Sequence, residues 1–542
     1  MADPAFTRSR PKPPSRRPGQ AIIAGVAALA MAAPAAAQVQ VQPLAAPDLF
    51  SVGTGPSDLP QELWQGSSAA LARAVIPTLG SQPMSPAAAA LARHLLSAGA
   101  PGPAGAGDDQ SLAGARAMAL LRLGDAAAVQ AITDRTPNLG QKPALSEAAA
   151  QAALVLGQED RACAVGDGLA NGRDTAFWLR LRAYCQAWMG QTAPAQLTLQ
   201  LAEQQGSSPG YERLMDALLN SKPPGDPALD DGLDFVLTRK LIPAWPDALP
   251  WAAPPIAVAV ARDPNAPPAA RLLAAASAAR QGFPTPEAYV AVDAIPADLA
   301  AADQPGPTGE AGLVALLRAT TDLSLKEQAI IALLKRAKDG PEFLALARLA
   351  TPGIAQVMAA HPVLREPALI AMAAAAAGDL DSARAARAEV GQGGPPPAPL
   401  DLALLDALIT AAGEGPPDEA IAGSLVVAAG QADAPARARA AAALALLAGL
   451  GAPLGPDLRF GLSAADLGPG GLTPGQGMAL GLAADAGRLG DVALYVLQAS
   501  PGPAGPAPGD RPQLVRAMMR AGLKADARAY AVEGLLALQA RP

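Results

Sequence analysis

Leu179 to Ala202, LRLRAYCQAWMGQTAPAQLTLQLA, reads as two short helices folded back on each other at Met189-Gly190. Glycine suits the left-handed residue that closes a helix, and the apolar residues on either side recur with a helical period. The same pattern stands upstream, because Gly124, Gly157 and Gly190 are spaced 33 residues apart twice over. Twelve positions before each glycine stand Leu112, Leu145 and Trp178; nine before, Ala115, Ala148 and Leu181; five before, Ala119, Ala152 and Cys185; one before, Leu123, Leu156 and Met189. These offsets share one helical face. Ala162 and Ala195 lie five positions after the second and third glycines, where a returning helix needs a small residue to approach its partner.

The three units resemble the tetratricopeptide repeat family, whose repeats run to about 34 residues as helix, turn and helix. The third matches best: Trp178 and Leu181 resemble the family's early apolar pair, and Ala195, Leu199 and Ala202 its small-large-small series. It departs from the pattern at Arg182, where a small residue is usual, and at Pro209, which follows later than the family's closing proline. The resemblance implies an α-solenoid of stacked antiparallel hairpins whose concave face holds extended peptide or another protein.

Composition agrees with an all-α chain. Of the 542 residues 51% are hydrophobic but only 3% aromatic, and alanine dominates the apolar share, which favours helix packing over sheet. The 56 prolines and 53 glycines cluster between the Ala/Leu blocks, as helix punctuation would. Ala-Gly pairs close helical blocks at Ala377-Gly378, Ala412-Gly413, Ala448-Gly449, Ala486-Gly487 and Ala521-Gly522, and small residues recur five positions after two of them, at Ala383 and Ala527.

The expected organisation is a secretory signal peptide over 1–37, an extended lead-in over 38–56, N-terminal repeats over 57–205, an irregular insertion with helices over 206–308, and C-terminal repeats over 309–542, ending in a hairpin from Gln513 to Gln539. The leader carries Arg8, Arg10, Lys12, Arg16 and Arg17, an apolar stretch from Ala21 to Ala33, and Ala35-Ala36-Ala37 as a cleavage site. Ser15-Arg16-Arg17 resembles a twin-arginine signal, but Pro18-Gly19-Gln20 favours the general secretory route. An uncleaved anchor is the competing reading. Gln38 at the new N-terminus excludes a lipid-anchored cysteine there.

Loss of the five leader cations and Asp3 takes the net charge from −7 to −11, which argues against a nucleic-acid partner. No later stretch offers a spanning helix, so the expectation is a soluble periplasmic or secreted protein. In that compartment Cys163 and Cys185, on adjacent expected helices, are candidates for a disulfide, against a competing reading as two buried thiols. With the turn centred at Asn171-Gly172, an antiparallel partner of Cys163 falls near Leu181, so Cys185 is about four residues off, or about 6 Å along a helix.

The search for chemistry returns no catalytic, cofactor-binding or metal-ligating constellation. His94 and His361 are the only histidines and read as satisfied structural residues. Asp226, Asp230, Asp231 and Asp234 lack the order of an EF-hand and read as a solvated helix start. Trp245 and Trp251, stiffened by Pro246 and Pro250, are either a partner-binding loop or the filling of a joint between helix stacks. The expected function is an interaction scaffold in assembly or maintenance of the cell envelope. An enzyme acting on an envelope polymer such as peptidoglycan, with a carboxylate pair far apart in sequence, is one alternative. A small-ligand binding protein using the two tryptophans is the other.

Overall fold

Helix punctuation in the sequence becomes, in a computed structural model, an all-helical chain of 25 α-helices among the described residues. Those residues are 48–243, 249, 252–283, 297–360, 363–392, 397–430 and 432–539, all within one unit, Pro47–Pro542. The leader, Trp245, Trp251 and His361 lie outside them.

An opening pair, α1 (Ala69–Val75) and α2 (Pro86–Ser97), is followed by the repeat-bearing helices. These are α3 (Gln110–Arg122), α4 (Ala126–Asp134), α5 (Pro143–Val155), α6 (Glu159–Asp167), α7 (Ala176–Trp188) and α8 (Thr192–Gln205). Next come α9 (Pro209–Asn220), α10 (Gly232–Leu241), α11 (Pro254–Arg262) and α12 (Pro268–Arg280). The second half holds α13 (Gly306–Ala319), α14 (Leu323–Leu334), α15 (Gly340–Ala359), α16 (Pro367–Ala377), α17 (Leu380–Glu389) and α18 (Pro399–Ala412). It continues with α19 (Glu419–Ala429), α20 (Ala434–Gly449), α21 (Pro456–Ser463), α22 (Pro474–Asp485), α23 (Leu489–Gln498), α24 (Arg511–Ala521) and α25 (Lys524–Leu538).

Helices α3, α5 and α7 end alike. Gly124, Gly157 and Gly190 take φ of 84°, 72° and 76°, and in each case the amide after the glycine donates to a carbonyl five residues back: Asp125 to Leu120, Gln158 to Ala153, Gln191 to Gln186. The returning helix then seats a fully buried small residue, Ala162 or Ala195, against its partner. The outward residue of the pattern departs from expectation. Leu123 is buried, but Leu156 and Met189 are 38% and 60% exposed, since a residue at the very end of a helix leaves the packed stripe.

Three of the five Ala-Gly marks close helices in the same left-handed way: Gly378, Gly487 and Gly522, at φ 87°, 64° and 99°. Two do not. Gly413 is extended (φ −79°), and Gly449 lies inside α20, whose turn is made by Gly451 at φ 96°. Gly449 serves close approach instead, because a Cβ there would sit 2.7 Å from the carbonyl oxygen of Pro512 at the start of α24. Ala383 and Ala527 are fully buried, like their N-terminal counterparts.

One apolar core runs from Leu49 to Leu536. The last hairpin does more than cover its neighbour: α25 packs against α2, α15, α16, α18 and α20 as well as α24, while α1 and α2 pack against α23. The junction is specific. Gly490 N–H donates to the Leu63 carbonyl at 3.0 Å, Ser68 N–H to Asp491 Oδ1 at 2.9 Å, and Ala87 N–H to Glu533 Oε2 at 3.0 Å. A Cβ on Gly490 would lie 2.6 Å from the Trp64 ring, so the two ends of the chain meet at backbone distance.

Candidate functional site

The hairpin α7–α8 buries Ala195, Thr198, Leu199 and Ala202 toward α7 and turns Leu197 and Leu201 outward. Leu197 and Leu201, one helical turn apart, are 62% and 45% exposed, and Trp188 and Met189 at the turn are 43% and 60% exposed. Trp188 is held in place: Tyr184 stacks on it at 6.2 Å between centroids, and the Lys240 ammonium of α10 lies 3.9 Å from its ring.

Cys163 and Cys185 form a disulfide with Cα atoms 5.8 Å apart, tying α6 to α7. The four-residue offset is absorbed because α6 ends at Asp167 and α7 begins only at Ala176, leaving a long connection between them. They approach at Gly166, where a Cβ would lie 3.3 Å from Leu181.

Behind this hairpin the sequence reading of the acidic cluster needs correction. Asp226 and Asp230 are exposed and Asp231 caps α10, its Oδ1 accepting from the Leu233 and Asp234 amides at 2.8 and 3.1 Å. Asp234 is not a solvated residue: it is 1% exposed and its Oδ1 has no hydrogen-bond partner. Burial, then the charges of Asp231 and Asp230, push its carboxyl up to about 7 against the opposing pull of Arg180. Arg180 of α7 reaches Asp231 Oδ2 at 3.6 Å while its Nε stays buried without an acceptor. Tyr211 of α9, fully buried, donates to the Arg180 carbonyl at 2.6 Å, and burial drives its phenol well up. Glu147 of α5 is half-buried, and burial raises its carboxyl, with Arg180 opposing.

The cluster exists because α10 lies close on α5. Gly232 N–H donates to Gln151 Oε1 at 2.9 Å, and a Cβ on Gly232 would lie 2.9 Å from the Leu154 Cβ. A sign of this burial was present in the sequence: Asp234 sits among Leu233, Phe235, Val236 and Leu237, a run apolar on every face, which belongs to an interior helix. Chemically, Asp234 can hold a proton near neutral pH, but it is sealed from any polymer. Among the described residues no three His, Cys, Asp or Glu side chains converge as a metal-ligand group.

His94 is a structural residue of a definite kind. Its Nε2 and Nδ1 meet Asp58 Oδ1 at 2.7 Å and Asp526 Oδ2 at 3.1 Å, joining α2 to α25. The hydrogen bond to Asp526 is the largest of the effects that raise its pKa to about 9 despite burial, so the ring is a cation at neutral pH and is not a general base there.

No family model matches the sequence, and comparison with curated proteins and with solved structures likewise yields no match.

Proposed function

We propose that the chain is an exported helical-repeat scaffold, an array of tetratricopeptide-like hairpins whose last member closes on its first, and that it holds a protein or extended-peptide partner of the cell envelope. The observation that carries this reading is the outward apolar face of α7–α8. Single exposed leucines are ordinary, but Trp188, Met189, Leu197 and Leu201 lie on one hairpin whose first helix is pinned by a disulfide. A rigid apolar patch of that kind loses little entropy on binding, and its tryptophan is the residue type that anchors interfaces. The disulfide suits an oxidising compartment, as does the 1–37 leader read as a signal peptide, and no helix among the described residues is long and apolar enough to cross a membrane.

Affinity purification from a periplasmic extract tests the reading. The wild-type chain should retain one dominant envelope protein, and Leu197→Asp with Leu201→Asp should reduce that recovery about tenfold or more while leaving the thermal midpoint unchanged. Equal recovery with both proteins contradicts it. N-terminal sequencing of the exported chain should begin at Gln38.

A further inference from the structure

Asn171-Gly172, in the connection between α6 and α7, is the only Asn-Gly pair in the chain. Asparagine is a chemically labile side chain, and the residue after it sets how fast it reacts, because the attacking atom is that residue's backbone nitrogen. Glycine leaves this nitrogen unshielded by a Cβ. The backbone requires glycine here, since Gly172 takes φ of 74°, where any side chain would be strained. Neither reacting group is occupied. The Asn171 side chain is exposed and makes no hydrogen bond among the described residues, and the Gly172 amide donates to none of them.

The other three asparagines lack this combination. Asn138 precedes Leu139, whose side chain crowds the approach. Asn220 donates to Asp216 Oδ1 at 2.6 Å and accepts from Gln196 Nε2 at 3.2 Å. Asn265 precedes Ala266, whose amide is already given to the Asp263 carbonyl at 3.2 Å. Gly168, which follows Asp167 in the same connection, likewise spends its amide on the Ala164 carbonyl at 3.0 Å.

We propose that Asn171 is a site of spontaneous deamidation in the folded chain, with isoaspartate among its products. The Gly172 nitrogen gives up its proton to solvent and attacks Asn171 Cγ. The new N–Cγ bond closes a succinimide ring as the Cγ–Nδ2 bond breaks, and the amide leaves as ammonia with a proton from water. Water then opens the ring: cleavage at the Asn171 main-chain carbonyl leaves isoaspartate, and cleavage at Cγ leaves aspartate. No oxidant or reductant takes part. The fold tolerates the extra backbone atom and the new negative charge. Ala170 N–H anchors the start of the connection on the Gly140 carbonyl at 2.8 Å, but the amides from Asn171 to Thr175 donate to no backbone carbonyl among the described residues, and the disulfide still ties α6 to α7. This site is separate from the outward face of α7–α8, so its fate does not decide the function proposed above.

The test holds the purified, folded chain at pH 8 for several days and maps its peptides by mass spectrometry. The peptide bearing residue 171 should gain one mass unit, more slowly at pH 6, and isoaspartyl methyltransferase should then methylate that peptide alone. The thermal midpoint should not move. Asn171→Ser should abolish both signals. The proposal is overturned if residue 171 reacts only in the urea-unfolded chain, which would mean that the folded connection protects the pair. It is also overturned if another asparagine converts first, or if the altered peptide accepts no methyl group.

Discussion

Asp234 carries a cost that can be measured. Its carboxyl titrates near 7 in the folded protein and near 3.8 when unfolded, so the folded state binds the extra proton between those values. Stability from this group is therefore present at acid pH and declines as pH rises from about 4 through 7. Asp234→Asn keeps the shape and removes the charge, so its thermal midpoint should fall less than the wild type's between pH 5 and pH 8; parallel falls would contradict the assignment. His94 runs the same way with pH, over a higher window, but its raised pKa comes from partners rather than from burial. With its pKa raised to about 9, its contribution is complete below the unfolded value of 6.5 and is lost as pH rises through 9. An NMR titration should find the His94 ring still protonated at pH 8, and Asp526→Asn should bring its midpoint down. With two histidines in the chain the sequence argued against a histidine zinc site, but the two carboxylate partners of His94 come from 36 residues before and 432 residues after it, distances no local pattern spans.

At the scale of the helix, local rules were legible and pair choice was not. The glycines at 124, 157 and 190 needed only the end of a helix to be read, and their left-handed φ values follow from it. The alanines five residues on were equally readable, because a tight turn forces the returning helix into contact. Ala412-Gly413 ends its helix as read, though with Gly413 extended rather than left-handed, whereas Gly449 was misread, since an Ala-Gly pair does not say whether its glycine makes the turn or lets another helix approach. Gly449→Ala separates these roles: a Cβ 2.7 Å from the Pro512 carbonyl oxygen must push α24 from α20, at a cost of about 1–3 kcal/mol, measured by urea unfolding. An effect near zero would mean that the two helices adjust freely. The disulfide closes a loop with a sequence separation of 22, and replacing both cysteines by alanine should cost about 3 kcal/mol in the same assay.

Across the whole molecule, a simple repeat array would let each hairpin touch only its neighbours. Here α25 reaches α2, α15, α16, α18 and α20, and the opening helices lie on α23, so the start of the chain's fold depends on its last helices. That closure was illegible because the faces involved are alanine-rich and interchangeable; the glycine at 490 and the acid at 533 reveal their partners only in space. Hydrogen exchange should find the amides of α1 and α2 less protected in a His94→Gln, Glu533→Gln double variant, with α5 and α7 unchanged. The proposed function rests on the outward face of α7–α8, and the most direct measurement is in-cell photo-crosslinking from position 197. One dominant envelope protein should be captured there, and not from position 381 on α17, whose side chain is more open to solvent still. The same products from both positions, or only copies of the chain itself, would contradict a partner-binding scaffold.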